Sequence, residues 1–209
     1  MSLSPGYGET PIDPEDLDAL TSAARAILGD QPTQAEVYDY EETNLVEVRE
    51  RLVEQIADGV LALDDLLADH FLRDLHGLLY GDIWTWAGRF RTRELNLGVA
   101  PEQIAVELRA SLDTIRWRWE RTSDWTPRVL GIAVHAETVR IHPFVDGNGR
   151  STRLLADLVF LAAQPEDVLI EVYDWAIDKG EYIRLLREHQ VTRDPAPLAA
   201  FIQIRPFGS

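Results

Sequence analysis

Two helical patterns of the chain meet at the stretch Ile141-His142-Pro143-Phe144-Val145-Asp146-Gly147-Asn148-Gly149-Arg150-Ser151-Thr152-Arg153. Apolar residues at helical spacing run from Val129 into this stretch and from its end to Ala163. Its two glycines, and Asn148 between them, tolerate positive φ, so the loop can turn successive backbone N–H groups into an anion-binding nest. A helix that begins near Asn148 adds its unpaired N–H groups and its dipole at the same place.

The charged side chains of this stretch predict a nucleotide site with a base beside it. Arg150 and Arg153 share a helix face and can both bind a polyphosphate. Asp146 offers a hard oxygen for Mg²⁺, and His142 is the nearby side chain suited to proton abstraction at neutral pH. Each feature alone is also compatible with ordinary structure: a His-Pro helix end, a glycine turn and solvated arginines. Because all of them follow in order over so short a stretch, we favour the chemical interpretation.

The same stretch resembles the Fic motif, His-x-Phe-x-Asp/Glu-Gly-Asn-Gly-Arg-x-x-Arg. Every fixed position of that motif is filled between His142 and Arg153. The resemblance extends to Asp74-Leu75-His76 and to Trp84-Thr85-Trp86-Ala87-Gly88-Arg89-Phe90-Arg91, and so spans most of the chain. The stretches Thr10-Pro11-Ile12-Asp13-Pro14 and Glu94-Leu95-Asn96-Leu97-Gly98 are similar, more loosely, to the branch of the family called mobile mystery protein B.

The predicted fold is all-α, a Fic-type helical bundle with a short inserted β-hairpin. Periodicity predicts helices over about 14–28, 33–56, 61–80, 101–119, 127–141, 154–163, 179–190 and 196–202. Between Arg89 and Val99 the pattern changes to period two and ends at Gly98, which predicts the hairpin. Residues 1–32 are predicted to be an N-terminal arm with a short helix, and residues 33–209 a Fic domain.

Composition restricts the class of protein. A chain of 209 residues with 45% apolar content can bury a hydrophobic core that needs no disulfide or structural metal to stabilise it. No apolar run reaches the roughly 18 residues of a membrane span, and the N-terminus lacks a signal-peptide pattern. The absence of cysteine excludes disulfides and thiolate metal sites and is compatible with the cytoplasmic location that we expect. A net charge of −16 opposes non-specific binding to nucleic acid.

The resemblance implies an activity and a role for each motif residue. The implied reaction moves AMP from ATP onto a Ser, Thr or Tyr hydroxyl of a protein target and releases pyrophosphate. In that reaction His142 is the general base, Asp146 holds Mg²⁺, and Arg153 pairs with the γ-phosphate. The remaining phosphate contacts fall to Gly147, Asn148, Gly149 and Arg150, and Phe144 anchors the loop.

Two further sites are expected around the motif. The resemblance places Tyr182 and Gln190 at the adenine, with ordinary helix packing as the alternative. We expect the predicted hairpin to hold the target chain, which makes a target-binding flap of Thr92, Arg93, Glu94, Leu95, Asn96 and Leu97. A hairpin that only closes the core is the alternative.

Other activities and the mode of regulation stay open at this point. The alternatives to AMP transfer are transfer of a different nucleotide or of a phosphate group, and a catalytically inhibited nucleotide-binding regulatory module. Family members often inhibit themselves through a Ser/Thr-x-x-x-Glu-Gly/Asn helix. Thr43 and Glu47 have that spacing although Val48 departs from it, and Glu36 opens a helix at a different spacing. Helix capping or a solvated face is the alternative for each glutamate, and a small inhibitory partner protein is the alternative to both.

Overall fold

A computed structural model describes residues 14–165 and 169–207 of the chain. The arm predicted over residues 1–12 lies outside these described residues. The helices are α1 (Pro14–Ala19), α2 (Ser22–Leu28), α3 (Gln34–Ala57), α4 (Leu63–Leu66), α5 (Phe71–Tyr80), α6 (Ile104–Arg121), α7 (Pro127–Ile141), α8 (Asn148–Ala163), α9 (Lys179–Thr192) and α10 (Ala196–Phe201). A 3₁₀ turn, Pro101–Gln103, leads into α6. The predicted helical fold class is confirmed.

The described chain divides into two compact units, of which the first comprises residues up to Arg51 together with Arg73–Arg89. In this unit a single antiparallel bridge joins Leu20 to Trp84. The indole of Trp84 stacks on Trp86 and donates a hydrogen bond of 2.6 Å to the buried carboxylate of Glu41. Gly88 donates its backbone N–H to His76 Nδ1 at 3.0 Å. These contacts give the indoles of Trp84 and Trp86 a structural role.

The second unit comprises Leu52–Leu72 and residues from Phe90 onward, and it contains the motif. Its centre is the pair of α7 and α8, which pack on each other and are joined by the motif loop. Nearly every residue of α7 from Leu130 to Thr138 is buried, as is typical of a helix surrounded by others. Helices α6, α9 and α10 pack against α7, and α4 packs against α8. The motif is therefore carried by the most enclosed elements of this unit.

The hairpin predicted between Thr92 and Leu97 is absent, and the prediction was wrong. Residues 92–98 form an irregular segment, and within the described ranges the paired strands are β1 (Glu171–Tyr173) and β2 (Ile204–Pro206). The reason is that the backbone N–H groups at the two ends of the segment donate to another part of the chain and not to each other. Arg91 N–H donates to the Pro143 carbonyl at 2.9 Å, and Val99 N–H donates to the Ile141 carbonyl at 3.2 Å. The alternating sequence pattern thus occurs in a loop that is held at both ends.

Candidate active site

Helix α7 places His142 at its C-terminal end. Thr126 caps the start of the helix by accepting from Val129 N–H at 3.3 Å, and Pro127 occupies the first turn. At the other end His142 adopts the left-handed conformation, with φ 52° and ψ 63°, while its N–H still donates to the Thr138 carbonyl at 3.0 Å. For a residue other than glycine this conformation costs about 1–3 kcal/mol, so the surrounding structure must stabilise it.

The environment of His142 keeps its imidazole neutral near pH 7. Partial burial, followed by the positive charge of Arg91, lowers the pKa of His142 below its usual value of 6.5. The carboxylate of Asp146 and an interaction with the Val139 backbone oppose this change without reversing it. A neutral imidazole can accept a proton, so His142 has the protonation state that a general base requires.

The loop after His142 is fixed by Phe144 and Asn148. The Phe144 ring is fully buried and packs on Phe90, with 5.9 Å between the ring centroids. Asn148 uses both ends of its side-chain amide on the backbone of Phe144: its oxygen accepts from the N–H at 2.9 Å, and its nitrogen donates to the carbonyl at 2.8 Å. The side chain of Asn148 therefore closes the loop by bridging the backbone of Phe144.

Helix α8 begins directly after the loop with an uncapped N-terminus. Gly147 is the N-cap, with φ 73°, and its carbonyl accepts from Ser151 N–H at 3.0 Å and from Ser151 Oγ at 2.9 Å. As a glycine it has no side chain to accept from the first N–H groups of the helix. Gly149 lies in the first turn, and an added Cβ there would find its nearest neighbour, the Arg153 guanidinium, only at 3.9 Å. This open space at the N-terminus of a helix suits an anion.

Two arginines and one carboxylate border this helix end. Arg150 pairs with Asp146 at 3.6 Å, and the Asp146 side chain is 68% exposed. Arg153 donates from Nε to the Gly149 carbonyl at 3.1 Å, which places its guanidinium over the first turn. Within residues 14–165 and 169–207, no group of three or more His, Cys, Asp or Glu side chains has metal-binding geometry. Asp146 is thus a single carboxylate that faces solvent beside a positively charged helix end.

Tyr182 lies near Arg153, whereas Gln190 does not share its environment. The Tyr182 hydroxyl is 2.7 Å from Nε2 of the fully buried His135. Burial raises the pKa of Tyr182 to about 12, and the charge of Arg153 acts against that change. Burial likewise lowers the pKa of His135 to about 3, so this pair is neutral. The next turns of α9 bury His189 and leave Gln190 exposed, because the two residues lie on different faces of the helix.

Comparisons with known proteins agree with this geometry. A profile described as the Fic/DOC family matches residues 66–160, which include the whole motif. Residues 66–160 are therefore similar to the Fic family. It is 30% identical over 118 residues to protein adenylyltransferase fic-1 of Caenorhabditis briggsae, a match covering 54% of this chain and 22% of the relative. The match to protein adenylyltransferase fic-1 of Caenorhabditis elegans is also 30% identical, over 117 residues, and covers the same shares of the two chains.

A solved Fic structure shares the fold. It is the BepC protein of Bartonella tribocorum with bound AMPPNP, which superposes with a TM-score of 0.60 at 18% identity over 83% of this chain and 88% of that one. The Fic-type bundle predicted from the sequence is therefore confirmed. The chain spans about a fifth of the length of the two curated relatives named above.

The two glutamates predicted as inhibitory both lie on α3, in the first unit. The Glu36 carboxylate accepts from both the backbone N–H and the hydroxyl of Thr33, at 2.8 Å each, and Glu36 N–H donates back to Thr33 Oγ1 at 3.3 Å. This is the capping box that the sequence offered as the alternative. Glu47 is an exposed residue in the middle of the helix. The inhibitory role of either residue stays a prediction.

Arg91 is the residue near the Fic motif that sequence reasoning missed. Its side chain is 2% exposed and donates three hydrogen bonds to backbone carbonyls, one of them to His142 at 2.8 Å. The predicted hairpin placed Arg91 on one of the two faces of a strand and gave no reason for its charged side chain to be buried. A usable signal was its position at the end of the Trp84–Arg91 resemblance, directly before the change of pattern.

Proposed function

We propose that this Fic domain transfers AMP from ATP to a side-chain hydroxyl of a protein target. The observation that carries the proposal is the neutral His142 imidazole held beside the uncapped N-terminus of α8, with Arg150 and Arg153 on the same turn. A base, an anion-binding helix end and two guanidinium groups are the parts that nucleotidyl transfer requires. The names of the two nematode relatives, protein adenylyltransferases, agree with it.

In the proposed reaction, His142 accepts the proton of a Ser, Thr or Tyr hydroxyl while the hydroxyl oxygen attacks the α-phosphorus of ATP. A new oxygen–phosphorus bond forms to the target, the bond between the α-phosphorus and the α,β-bridging oxygen breaks, and pyrophosphate leaves with the electron pair. Backbone N–H groups at Gly149 and its neighbours, together with Arg150, bind the phosphates and orient them for in-line attack. Arg153 pairs with the γ-phosphate.

Mg²⁺ is the ion that we propose at Asp146. Mg²⁺ in nucleotide sites is commonly held by one or two carboxylates together with the phosphates of the substrate, so a single solvent-facing carboxylate fits that donor set. When bound, the ion would neutralise charge that develops on the phosphates. Arg150, 3.6 Å from Asp146, then orients the carboxylate and contacts the same phosphates.

The adenine ring is proposed to lie against Tyr182. Support comes from its position near Arg153 and from the hydrogen bond that fixes its hydroxyl to His135. A tyrosine whose hydroxyl is already paired can offer its ring face to a base without losing that bond. Gln190 is proposed as an outer contact, since its side chain faces solvent.

The target chain is proposed to bind along residues 92–97. Both ends of this segment are fixed beside His142, and Thr92, Arg93 and Glu94 are exposed, as is Leu97 at 62%. An extended peptide there would bring a hydroxyl to the imidazole while main-chain hydrogen bonds hold its backbone. A small inhibitory partner protein and a cytoplasmic location both stay predictions.

Mass spectrometry of the purified protein after incubation with ATP and Mg²⁺ tests the proposal. We expect self-modification by one or more adenylyl groups, and the His142→Ala variant under the same conditions as control should remain unmodified. Phosphoryl groups instead of adenylyl groups would favour a kinase-like reaction. Nucleotide binding without any modification, also after addition of cell extract, would favour a regulatory module.

A further inference from the structure

A buried arginine joins the segment 92–98 to His142. The Arg91 guanidinium donates from Nε to the His142 carbonyl at 2.8 Å and from a terminal nitrogen to the Arg93 carbonyl at 3.0 Å. Its other terminal nitrogen donates to the Val99 carbonyl. These three acceptors belong to both ends of the segment and to the proposed base, so one planar group fixes all three. We call Arg91, Gly98, Val99 and the backbone of residues 141–143 the junction.

Two main-chain hydrogen bonds reinforce the junction on either side of His142. Arg91 N–H donates to the Pro143 carbonyl, the residue after His142, and Val99 N–H donates to the Ile141 carbonyl, the residue before it. The segment therefore leaves the junction and returns to it within a few ångströms of the imidazole. Any movement of the junction displaces the base and the segment together.

Gly98 is required by the closeness of this packing. Its φ of +97° lies in a region that side chains disfavour, and an added Cβ would lie 2.6 Å from the Arg91 guanidinium. The same Cβ would lie 2.7 Å from the Ile141 carbonyl oxygen and 2.8 Å from Cβ of His142. Two of these three obstacles cannot rotate away, because one is backbone and one is the first side-chain atom of the base.

The junction stabilises the left-handed backbone conformation of His142, and through it the position of the proposed base. Its N–H is held by the Thr138 carbonyl and its own carbonyl by Arg91, so the backbone is fixed from both sides in a conformation that it would otherwise leave. The direction of the imidazole follows from that backbone. The Arg91 charge also lowers the pKa of His142, after the larger effect of burial, which favours the neutral ring.

We propose that Arg91 is a positioning residue that holds His142 and the segment 92–98 in one fixed arrangement, so that the base meets a hydroxyl presented by a chain bound to the segment. The inference rests on the proposed AMP transfer. A positioning role differs from a simple anchoring role in one respect: loss of Arg91 should slow transfer while nucleotide affinity is kept. The reason is that other contacts hold Arg150, Arg153 and the start of α8 in place.

The test compares Arg91→Met, Arg91→Lys and Gly98→Ala with two matched controls. Arg89→Met makes the same change at an exposed arginine two residues earlier. Gly59→Ala also places a side chain on a residue of positive φ, at +68°, where nothing lies within 4 Å of the added Cβ. For each protein we would measure the affinity for a non-hydrolysable ATP analogue, the rate of label transfer from α-labelled ATP, and amide exchange of residues 90–99 and 141–144, well below the unfolding temperature.

Arg91→Met should reduce transfer by about 10²-fold, the effect of misplacing a catalytic group by about 1 Å, with analogue affinity unchanged. Amide exchange at Val99 and around His142 should accelerate, and the ring signal of His142 in NMR spectra should shift. Arg91→Lys keeps the charge but reaches fewer carbonyls, so it should recover part of the rate. Gly98→Ala should reproduce the loss if Arg91→Met does not fold, whereas both controls should behave as the wild type.

Full transfer by a folded Arg91→Met variant would overturn the inference, as would a loss of transfer matched by an equal loss of analogue affinity. Faster exchange with unchanged transfer would leave Arg91 as an anchor and would equally overturn it. Absence of label transfer by the wild type would contradict the proposed function instead. In that case the exchange rates and the His142 ring signal alone test the inference, and unchanged values in Arg91→Met would reject it.

Discussion

His142 is the side chain on which the proposed chemistry depends most. We predict that His142→Ala reduces AMP transfer by about 10²–10⁴-fold, the usual contribution of a general base. Affinity for ATP should stay near that of the wild type, because in the proposed mechanism the imidazole contacts the incoming hydroxyl while α8 and its arginines bind the phosphates. The measurement is label transfer from α-labelled ATP beside calorimetric ATP binding. Undiminished transfer by the folded variant would remove His142 from the mechanism.

Sequence reasoning at the residue scale identified which residues cluster, but not always what each does. It placed Phe144 inward and began the exit helix at Asn148, and the structure agrees on both. It named Asn148 as a phosphate contact without distinguishing backbone from side chain, and the side-chain amide binds the N–H and the carbonyl of Phe144. It also overlooked Arg91, because the acceptors of this buried arginine are backbone carbonyls in a distant part of the chain. Side-chain types predict chemistry, but their hydrogen-bond partners depend on tertiary contacts.

The segment 92–97 supplies the first prediction at the scale of elements. Leu95→Pro removes one backbone donor and restricts the chain where the target is proposed to bind. We expect modification of the target to fall far more than nucleotide affinity, because the contacts of the phosphate site lie elsewhere. Both quantities should be measured on the same folded variant. An equal loss of both, or a loss of neither, would reduce the segment to scaffolding.

The start of α3 supplies the second prediction at the scale of elements. The Glu36 carboxylate already accepts two hydrogen bonds from Thr33, which lowers its pKa and caps the helix. Glu36→Ala should therefore lower the thermal midpoint slightly and leave the rate of self-modification unchanged. Glu47→Ala, at an exposed position, serves as the matched change on the same helix. A sharp rise in self-modification by either variant would identify that glutamate as an inhibitor in cis.

Helices were predictable from the chain, and the small sheet was not. The spacing of Leu45, Val48, Leu52 and Ile56 gave α3 nearly to the residue, because a helix is built from local contacts. The pattern over 61–80 was correctly helical but missed the break between α4 and α5. Strands β1 and β2 are three residues each and distant in sequence, so no local alternation indicates them. The alternating pattern over residues 92–97 wrongly predicted a hairpin, because this segment pairs with no strand in the described part of the chain.

At the scale of the whole molecule, a buried charge network links three helices of the second unit. Glu137 on α7 accepts from Arg193 after α9 at 2.8 Å, from Ser111 on α6 at 2.9 Å and from Arg140 at 3.0 Å. Burial raises the pKa of Glu137, but the hydrogen bond from Arg193 and the charge of Arg140 outweigh it, so that the pKa lies below the usual 4.5. The charged form therefore stabilises the fold.

A carboxyl whose pKa is lowered by folding contributes stability above its unfolded pKa and loses that contribution as the pH falls through the folded pKa. We predict that Glu137→Gln destabilises the protein by about 3 kcal/mol at pH 7, because Arg140 stays buried with fewer partners. Its thermal midpoint should also fall less than that of the wild type below pH 4.5. Glu181→Gln removes an exposed pair with Arg184 and should change little. Parallel pH profiles for wild type and Glu137→Gln would contradict the assignment.

None of the helices between residues 14 and 207, the short gap at 166–168 aside, combines the length and apolarity needed to cross a bilayer. The chain is strongly acidic as a whole, so the positive charge that a bound nucleotide would require must be concentrated in one place, and the basic start of α8 provides it. Arg150 and Arg153 supply positive charge where the phosphates are proposed to bind, in a chain whose net charge is −16.

The fate of the label from ATP tests the central claim most directly. The protein would be incubated with Mg²⁺ and a cell extract, in parallel with ATP labelled at the α- and at the γ-phosphate, and protein-bound label would be compared with that given by His142→Ala. Transfer of AMP predicts that the protein-bound label that depends on His142 comes from the α-phosphate and not from the γ-phosphate, which leaves in pyrophosphate. Protein-bound γ-label that depends on His142 would contradict the account, as would α-label that persists in His142→Ala.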